Sequence, residues 1–126
     1  MSPPVTTILV AADAKWVRDQ VRAAFVSHDQ EVVEVTRGQD VRTAFAEYDP
    51  DLVILDMQIG NMGGVAVAID LLLEESAGRL DRANIMLLLD READRFLAQR
   101  ADVDVDLVKP VDAGILRRAA KQLLPA

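Results

Sequence analysis

Short apolar runs alternate along the chain with longer stretches in which apolar residues recur every three or four positions. The runs Thr7–Ala11, Val32–Thr36, Leu52–Leu55, Ile85–Leu89 and Val103–Val108 read as strands. Leu52–Leu55 and Ile85–Leu89 are apolar at every position, so both faces of those strands need cover. Helices alternating with the strands of a parallel sheet supply that cover.

The intervening stretches carry the helical pattern. Val17, Val21, Ala24 and Phe25 fall on one stripe of a first helix, and Val41, Ala44, Phe45 and Tyr48 on one stripe of a second. Asp49-Pro50 stops the second, because proline disfavours helical geometry in the residue before it. A third helix is expected over Gly64–Glu75 with its end near Gly78, and a fourth over Arg91–Ala101 with Asp90 as its N-cap. A fifth starts from an Asp112 cap and runs to Leu124, with Pro125 as the stop. The fold class is α/β: a doubly wound, parallel, five-stranded (βα)5 sheet in one domain over residues 1–126, with residues 1–5 expected to be disordered.

Composition narrows the chemistry. With 51% hydrophobic and 28% charged residues the chain has enough apolar material for a core. No apolar run is long enough for a membrane span, and Met1–Thr7 is too short and polar for a signal peptide, so a cytoplasmic protein is expected. Zero cysteines and one histidine leave carboxylates, amines and hydroxyls for chemistry. A net charge of −7 disfavours direct binding to nucleic acid, whose phosphates call for a basic footprint.

In doubly wound sheets ligands gather beyond the carboxyl ends of the strands. Asp13 follows the first strand, Asp56 ends the third and Lys109-Pro110 follows the fifth. Each alone reads as a cap or a turn, but three at one sheet edge suggest a shared site. Two carboxylates suit Mg²⁺, a lysine offers a point charge for a phosphoryl oxygen, and a carboxylate so placed can act as a phosphoryl acceptor.

These residues, with Ile8-Leu9-Val10 before Asp13, Asp49-Pro50-Asp51 before the third strand, the loop Asn61-Met62-Gly63-Gly64 and Leu107-Val108-Lys109-Pro110, resemble the receiver domain of bacterial response regulators over essentially the whole chain. The resemblance implies strand order 2-1-3-4-5 and a signalling module, not an enzyme. It implies Asp56 as phosphoacceptor and Lys109 as the lysine pairing with the phosphoryl group. It further implies Mg²⁺ held by Asp13, Asp56 and the backbone carbonyl of Gln58, and a cis Lys109-Pro110 peptide. The implied partners are a sensor histidine kinase or phosphotransfer protein upstream and a further protein downstream.

The chain departs from the family pattern in four places. Ala12 stands where a second acid usually follows the first strand, so Mg²⁺ binding is expected to be weak. Leu89-Asp90 ends the fourth strand in place of a Ser or Thr, and no Ser or Thr exists after Ser76. Asp106 replaces the usual aromatic of the fifth strand, and Ile59-Gly60 replaces a frequent Met-Pro. The leading reading is therefore a stand-alone, atypical receiver acting through protein contacts. A phosphorylation-independent pseudo-receiver is the alternative, followed by a flavodoxin-like carrier and a phosphatase with Asp56 as nucleophile.

Other residues read as surface. Trp16 lies on the first turn of the first helix, at the pocket mouth or as partial cover for the core, and His28 is expected at that helix's end. Asp102, Asp104 and Asp106 alternate along a solvated strand edge, and Arg117, Arg118 and Lys121 form a basic helix face. A homodimer pairing these two strips is the candidate assembly.

Overall fold

In the computed structural model, which describes residues 5–60 and 62–124, the strands are β1 (Thr6–Ala11), β2 (Gln30–Val35), β3 (Leu52–Asp56), β4 (Ile85–Leu89) and β5 (Val105–Val108). They form one parallel sheet in the order β2-β1-β3-β4-β5. The helices are α1 (Lys15–Ala24), α2 (Val41–Tyr48), α3 (Gly64–Ser76), α4 (Arg95–Arg100) and α5 (Ala113–Ala120). Residues 1–4, Asn61 and Pro125, on which the expected disorder, part of a loop motif and the final stop fall, lie outside the described residues.

The pleat divides the core into two layers. Along β1, Leu9 and Ala11 face α2, α3 and α4 together with Val53, Leu55, Leu87 and Leu89. Ile8 and Val10 face α1 and α5 with Leu52, Ile54, Met86 and Leu88. The two central strands β3 and β4 are buried at every position, as their unbroken apolar runs require. Val17, Val21, Ala24 and Phe25 are buried beneath α1, so the stripe read from spacing is the face the helix packs. Asp49 closes α2 in a left-handed conformation, φ 45°, and Gly78, φ 75°, follows α3.

Several boundaries differ from the sequence expectation, each with a local cause. The expected fourth helix is split: a 3₁₀ turn over Glu92–Asp94 precedes α4. Asp90 is not its N-cap. The backbone N–H of Arg91 donates to the carboxylate of Asp94 at 3.1 Å, while Asp90 turns to the opposite side of the loop, toward Lys109 and Gln58. β5 begins at Val105 instead of Val103. Asp102 takes a left-handed φ of 53°, and Asp104 engages Ile85 at both its backbone N–H (2.9 Å to the Ile85 carbonyl) and its carboxylate (2.7 Å from the Ile85 N–H). β2 starts and ends earlier than read, at Gln30 and Val35. His28 lies in the turn after α1, beyond the helix end. Asp112 does cap α5, accepting from the Ile115 N–H at 2.8 Å, but the helix ends at Ala120, where the Leu123 and Leu124 N–H groups fold back onto the Ala120 carbonyl.

The register brings the carboxyl ends of four strands to one edge. Ala11 pairs with Leu55, Asp56 with Leu88 and Leu89 with Val108. The ladder continues one step further through Met57 N–H to the Leu88 carbonyl (2.9 Å) and Lys109 N–H to the Leu89 carbonyl (2.8 Å). Residues just past these strands are thereby held on backbone hydrogen bonds.

Candidate functional site: an acidic pocket at the sheet edge

Asp56 is the last residue of a fully apolar strand and is only 1% exposed. An ionised carboxylate in such a place needs partners. Its Oδ1 accepts from Lys109 Nζ at 2.6 Å and from the Gln58 backbone N–H at 3.0 Å. Its Oδ2 is buried with no hydrogen-bond partner among the described residues. Buried acceptors in folded proteins are rarely left unpaired, so this oxygen marks a place for a cation or an electrophile.

Lys109 reaches Asp56 from the end of β5, ahead of a cis Lys109–Pro110 peptide, and its side chain is 13% exposed. The same Nζ lies 2.7 Å from Asp90 Oδ1. Burial alone would lower the lysine's pKa, but the hydrogen bonds to Asp56 and Asp90 outweigh it and hold the ammonium above its usual value. Asp90 is held below the usual carboxylate value, first by its hydrogen bond from Lys109 and then by one from Gln58 Nε2 at 2.7 Å.

Gln58 is the hub of the site. Its backbone N–H serves Asp56, its side chain serves Asp90, and its carbonyl accepts, at 3.5 Å, from the backbone N–H of Asp13. Asp13 is exposed beyond β1, and its backbone carbonyl and that of Ala12 are fixed by Arg18 Nη1 at 2.7 and 2.9 Å. Its carboxylate lies over Gly60, where an added Cβ would stand 3.2 Å from Oδ1. At the start of α3 an added Cβ on Gly64 would come within 2.2 Å of the Asp56 carbonyl oxygen, so glycine lets the helix sit directly against the strand end.

All the expected site residues thus meet: Asp56, Lys109 and Gln58 by direct contact, Asp13 through the Gln58 backbone. Asp90 is the member that sequence reasoning missed. The signal was available, since it too is an acid immediately following a fully apolar strand, as Asp56 ends one.

Oxygen donors of the kind Mg²⁺ takes lie along this edge: the Asp56 carboxylate, the Gln58 carbonyl and, against Gly60, the Asp13 carboxylate. The set fits a hard divalent cation but is sparse. Ala12 is fully buried in the α1–α5 layer, and among the described residues no three acids or histidines gather as a metal cluster.

On the far side of β4 and β5 the surroundings change. Leu89 is fully buried and carries no hydroxyl. Asp106 pairs with Arg95 of α4 at 3.1 Å, and Arg95 also pairs with Glu92. Asp104 lies 3.7 Å from Arg82. Two acids of the strip considered for pairing with a second copy are therefore engaged within the chain. Phe96 is exposed, with Arg100 5.9 Å above its ring, and Trp16 is half-exposed.

A parallel 2-1-3-4-5 sheet with a buried acid at the end of β3 and a Lys-Pro after β5 defines the flavodoxin-like receiver class. Residues 8–121 match the model of the response regulator receiver domain, and the chain belongs to that family. It is 27% identical over 121 residues to the aerobic respiration control protein ArcA of Escherichia coli K12, an alignment covering 93% of this chain and 48% of ArcA. The chain spans about half the length of the curated relatives it matches. Among solved structures it is similar to the Vibrio cholerae chemotaxis protein CheY4 (TM-score 0.81, 16% identity, covering 95% of this chain and 99% of that one). It is also similar to the BeF3-activated receiver domain of Klebsiella pneumoniae RstA (TM-score 0.80, 24% identity, 96% and 100% covered). A third likeness is to the receiver domain of the Pseudomonas aeruginosa sensor histidine kinase PA1611, solved with magnesium in its active site cleft (TM-score 0.79, 19% identity, 94% and 97% covered). At these identities the structural likeness establishes the shared fold. Among the described residues no helix is long and apolar enough to cross a membrane.

Proposed function

We propose that this receiver accepts a phosphoryl group on Asp56 from a histidine kinase or phosphotransfer protein and conveys its state through protein contacts. The observation that carries this reading is the divided carboxylate of Asp56: Oδ1 is fixed by Lys109 and Gln58, while the buried Oδ2 has no partner among the described residues. In the transfer, Oδ2 forms a bond to phosphorus and the phosphorus–nitrogen bond of a phosphohistidine donor breaks. The imidazole keeps the electron pair, and an acyl phosphate remains on Asp56. Mg²⁺, when held by Asp13, Asp56 and the Gln58 carbonyl, supplies positive charge for the transferring group. Lys109 supplies the protein's own cation at that place, and the Gln58 N–H orients the carboxylate.

A phosphorylation-independent interaction module is the second reading, favoured by the Asp106–Arg95 pair and the buried Leu89 where the family's switching side chains stand. Intact mass after incubation with a small phosphodonor and Mg²⁺ separates the two. The proposed function requires one added phosphoryl group that is absent from Asp56→Asn and reduced when Mg²⁺ is removed. An unchanged mass supports the interaction module instead.

A further inference from the structure

We propose that Asp90 is a resident anion in the phosphoryl pocket, holding Lys109 in the place of a phosphoryl group and restraining phosphorylation of Asp56. The inference rests on the reading of Asp56 as phosphoacceptor. It concerns the regulation of that site by a residue that neither the family match nor the solved relatives assign a role.

Three observations support it. Lys109 Nζ is shared, at 2.6 Å from Asp56 Oδ1 and 2.7 Å from Asp90 Oδ1, so one cation already serves two carboxylates. Asp90 does not take the local role its position suggests, because the turn that follows is capped by Asp94 on the Arg91 N–H. It is instead tethered across the pocket by Gln58 Nε2 at 2.7 Å, and Gln58 is also the residue whose N–H orients Asp56.

Two consequences follow from charge. A phosphoryl donor approaching Asp56 is anionic and meets the Asp90 carboxylate as a like charge. The acyl phosphate then competes with Asp90 for the same ammonium, and charge-assisted hydrogen bonds of this kind are strong enough that the competition matters. Removing only the charge of Asp90 therefore releases Lys109 for the phosphoryl group. Asp90→Asn keeps the side chain's size and its capacity to accept from Gln58, so the variant tests charge separately from packing.

The test compares phosphoryl uptake by wild type, Asp90→Asn and Asp56→Asn with a small phosphodonor and Mg²⁺, read by intact mass over time, with circular dichroism to confirm folding. Asp90→Asn should take up phosphoryl roughly tenfold faster than wild type, the change expected for losing one charge-assisted contact. Equal or slower uptake overturns the role of Asp90 and leaves Asp56 as acceptor. No uptake by either protein overturns both. A second readout does not depend on turnover: the Gln58 side-chain amide resonances of wild type should shift when beryllofluoride and Mg²⁺ are added, as Asp90 gives up Lys109. Resonances that stay in place while the backbone amide of Gln58 shifts would also overturn it.

Discussion

The two flanks of β4 are built on opposite terms. On the side of Asp56, a buried carboxylate keeps one oxygen without a partner among the described residues, a lysine divides itself between two acids, and glycines bring backbone close to the Asp13 carboxylate at position 60 and to the Asp56 carbonyl at position 64. On the side of α4 and β5, Asp106 is paired with Arg95, Asp104 is bound to Ile85 and Arg82, and Leu89 fills its place with methyl groups. The first region has a charge and an acceptor waiting for a ligand. The second is already satisfied. A ligand moves an equilibrium only as far as it distinguishes the two states, so phosphoryl binding at the first region, if Asp56 is the acceptor as proposed, is expected to have little hold on the second.

The most severe way to break the contrast is to remove the shared cation. Lys109→Met leaves Asp56 buried without a counter-charge and should cost about 3–5 kcal/mol in urea unfolding at neutral pH. Adding Asp56→Asn in the same chain should restore most of that. A Lys109→Met protein as stable as wild type would mean that the pocket's charges are balanced some other way.

Gly64→Ala should follow in size. Its Cβ would stand 2.2 Å from the Asp56 carbonyl oxygen, so the start of α3 must move away from the strand end. The expected loss is about 1–3 kcal/mol, with slower phosphoryl uptake because the Asp56 loop shifts with the helix. An alanine variant with unchanged melting would show that this close approach is not a constraint.

The pH dependence sharpens the charge assignments. Asp90 is held below its ordinary carboxylate value by Lys109 and then Gln58. Its contribution to stability is therefore present above the unfolded value of 3.8 and is lost as pH falls through the lower folded one. Lys109, held above 10.5, contributes below that value and loses its contribution as pH rises through the higher folded one. Asp90→Asn should flatten the acid limb of stability below pH 3.8 while leaving the alkaline limb present, through Asp56. An acid limb identical to wild type would contradict the Asp90 assignment.

The smallest effect is expected on the other flank. Arg95 is 41% exposed, so Arg95→Ala should cost at most about 1 kcal/mol, and less at high salt. Its useful readout is amide exchange, which should rise in α4 if the Asp106 pair pins that helix to β5. Unaltered exchange would assign the stiffness of the face to the buried Leu89 and Ala98 alone.

Much of this arrangement was legible in the chain itself. The unbroken apolar runs of β3 and β4 announced buried central strands, and an acid ending the first of them pointed to Asp56. The stripe Val17-Val21-Ala24-Phe25 gave the packed face of α1 because its period is a local property. The local sequence at Asp90, an acid before a helical pattern, predicts a cap. Its partner Gln58 lies 32 residues away and becomes a neighbour only when the sheet forms. β5 starts later than the apolar pattern predicts for a similar reason: Asp104 satisfies the Ile85 N–H with its side chain, a substitution that no propensity of Val103-Asp104 conveys.

Amide exchange with and without beryllofluoride and Mg²⁺ tests the contrast between the two flanks most directly. Protection should increase in the segments around Asp56–Gln58, Asp13 and Lys109, and change little across α4, β5 and α5. Strong changes in protection across α4 and β5 would contradict it and show that the ion-paired face responds to the phosphoryl pocket after all.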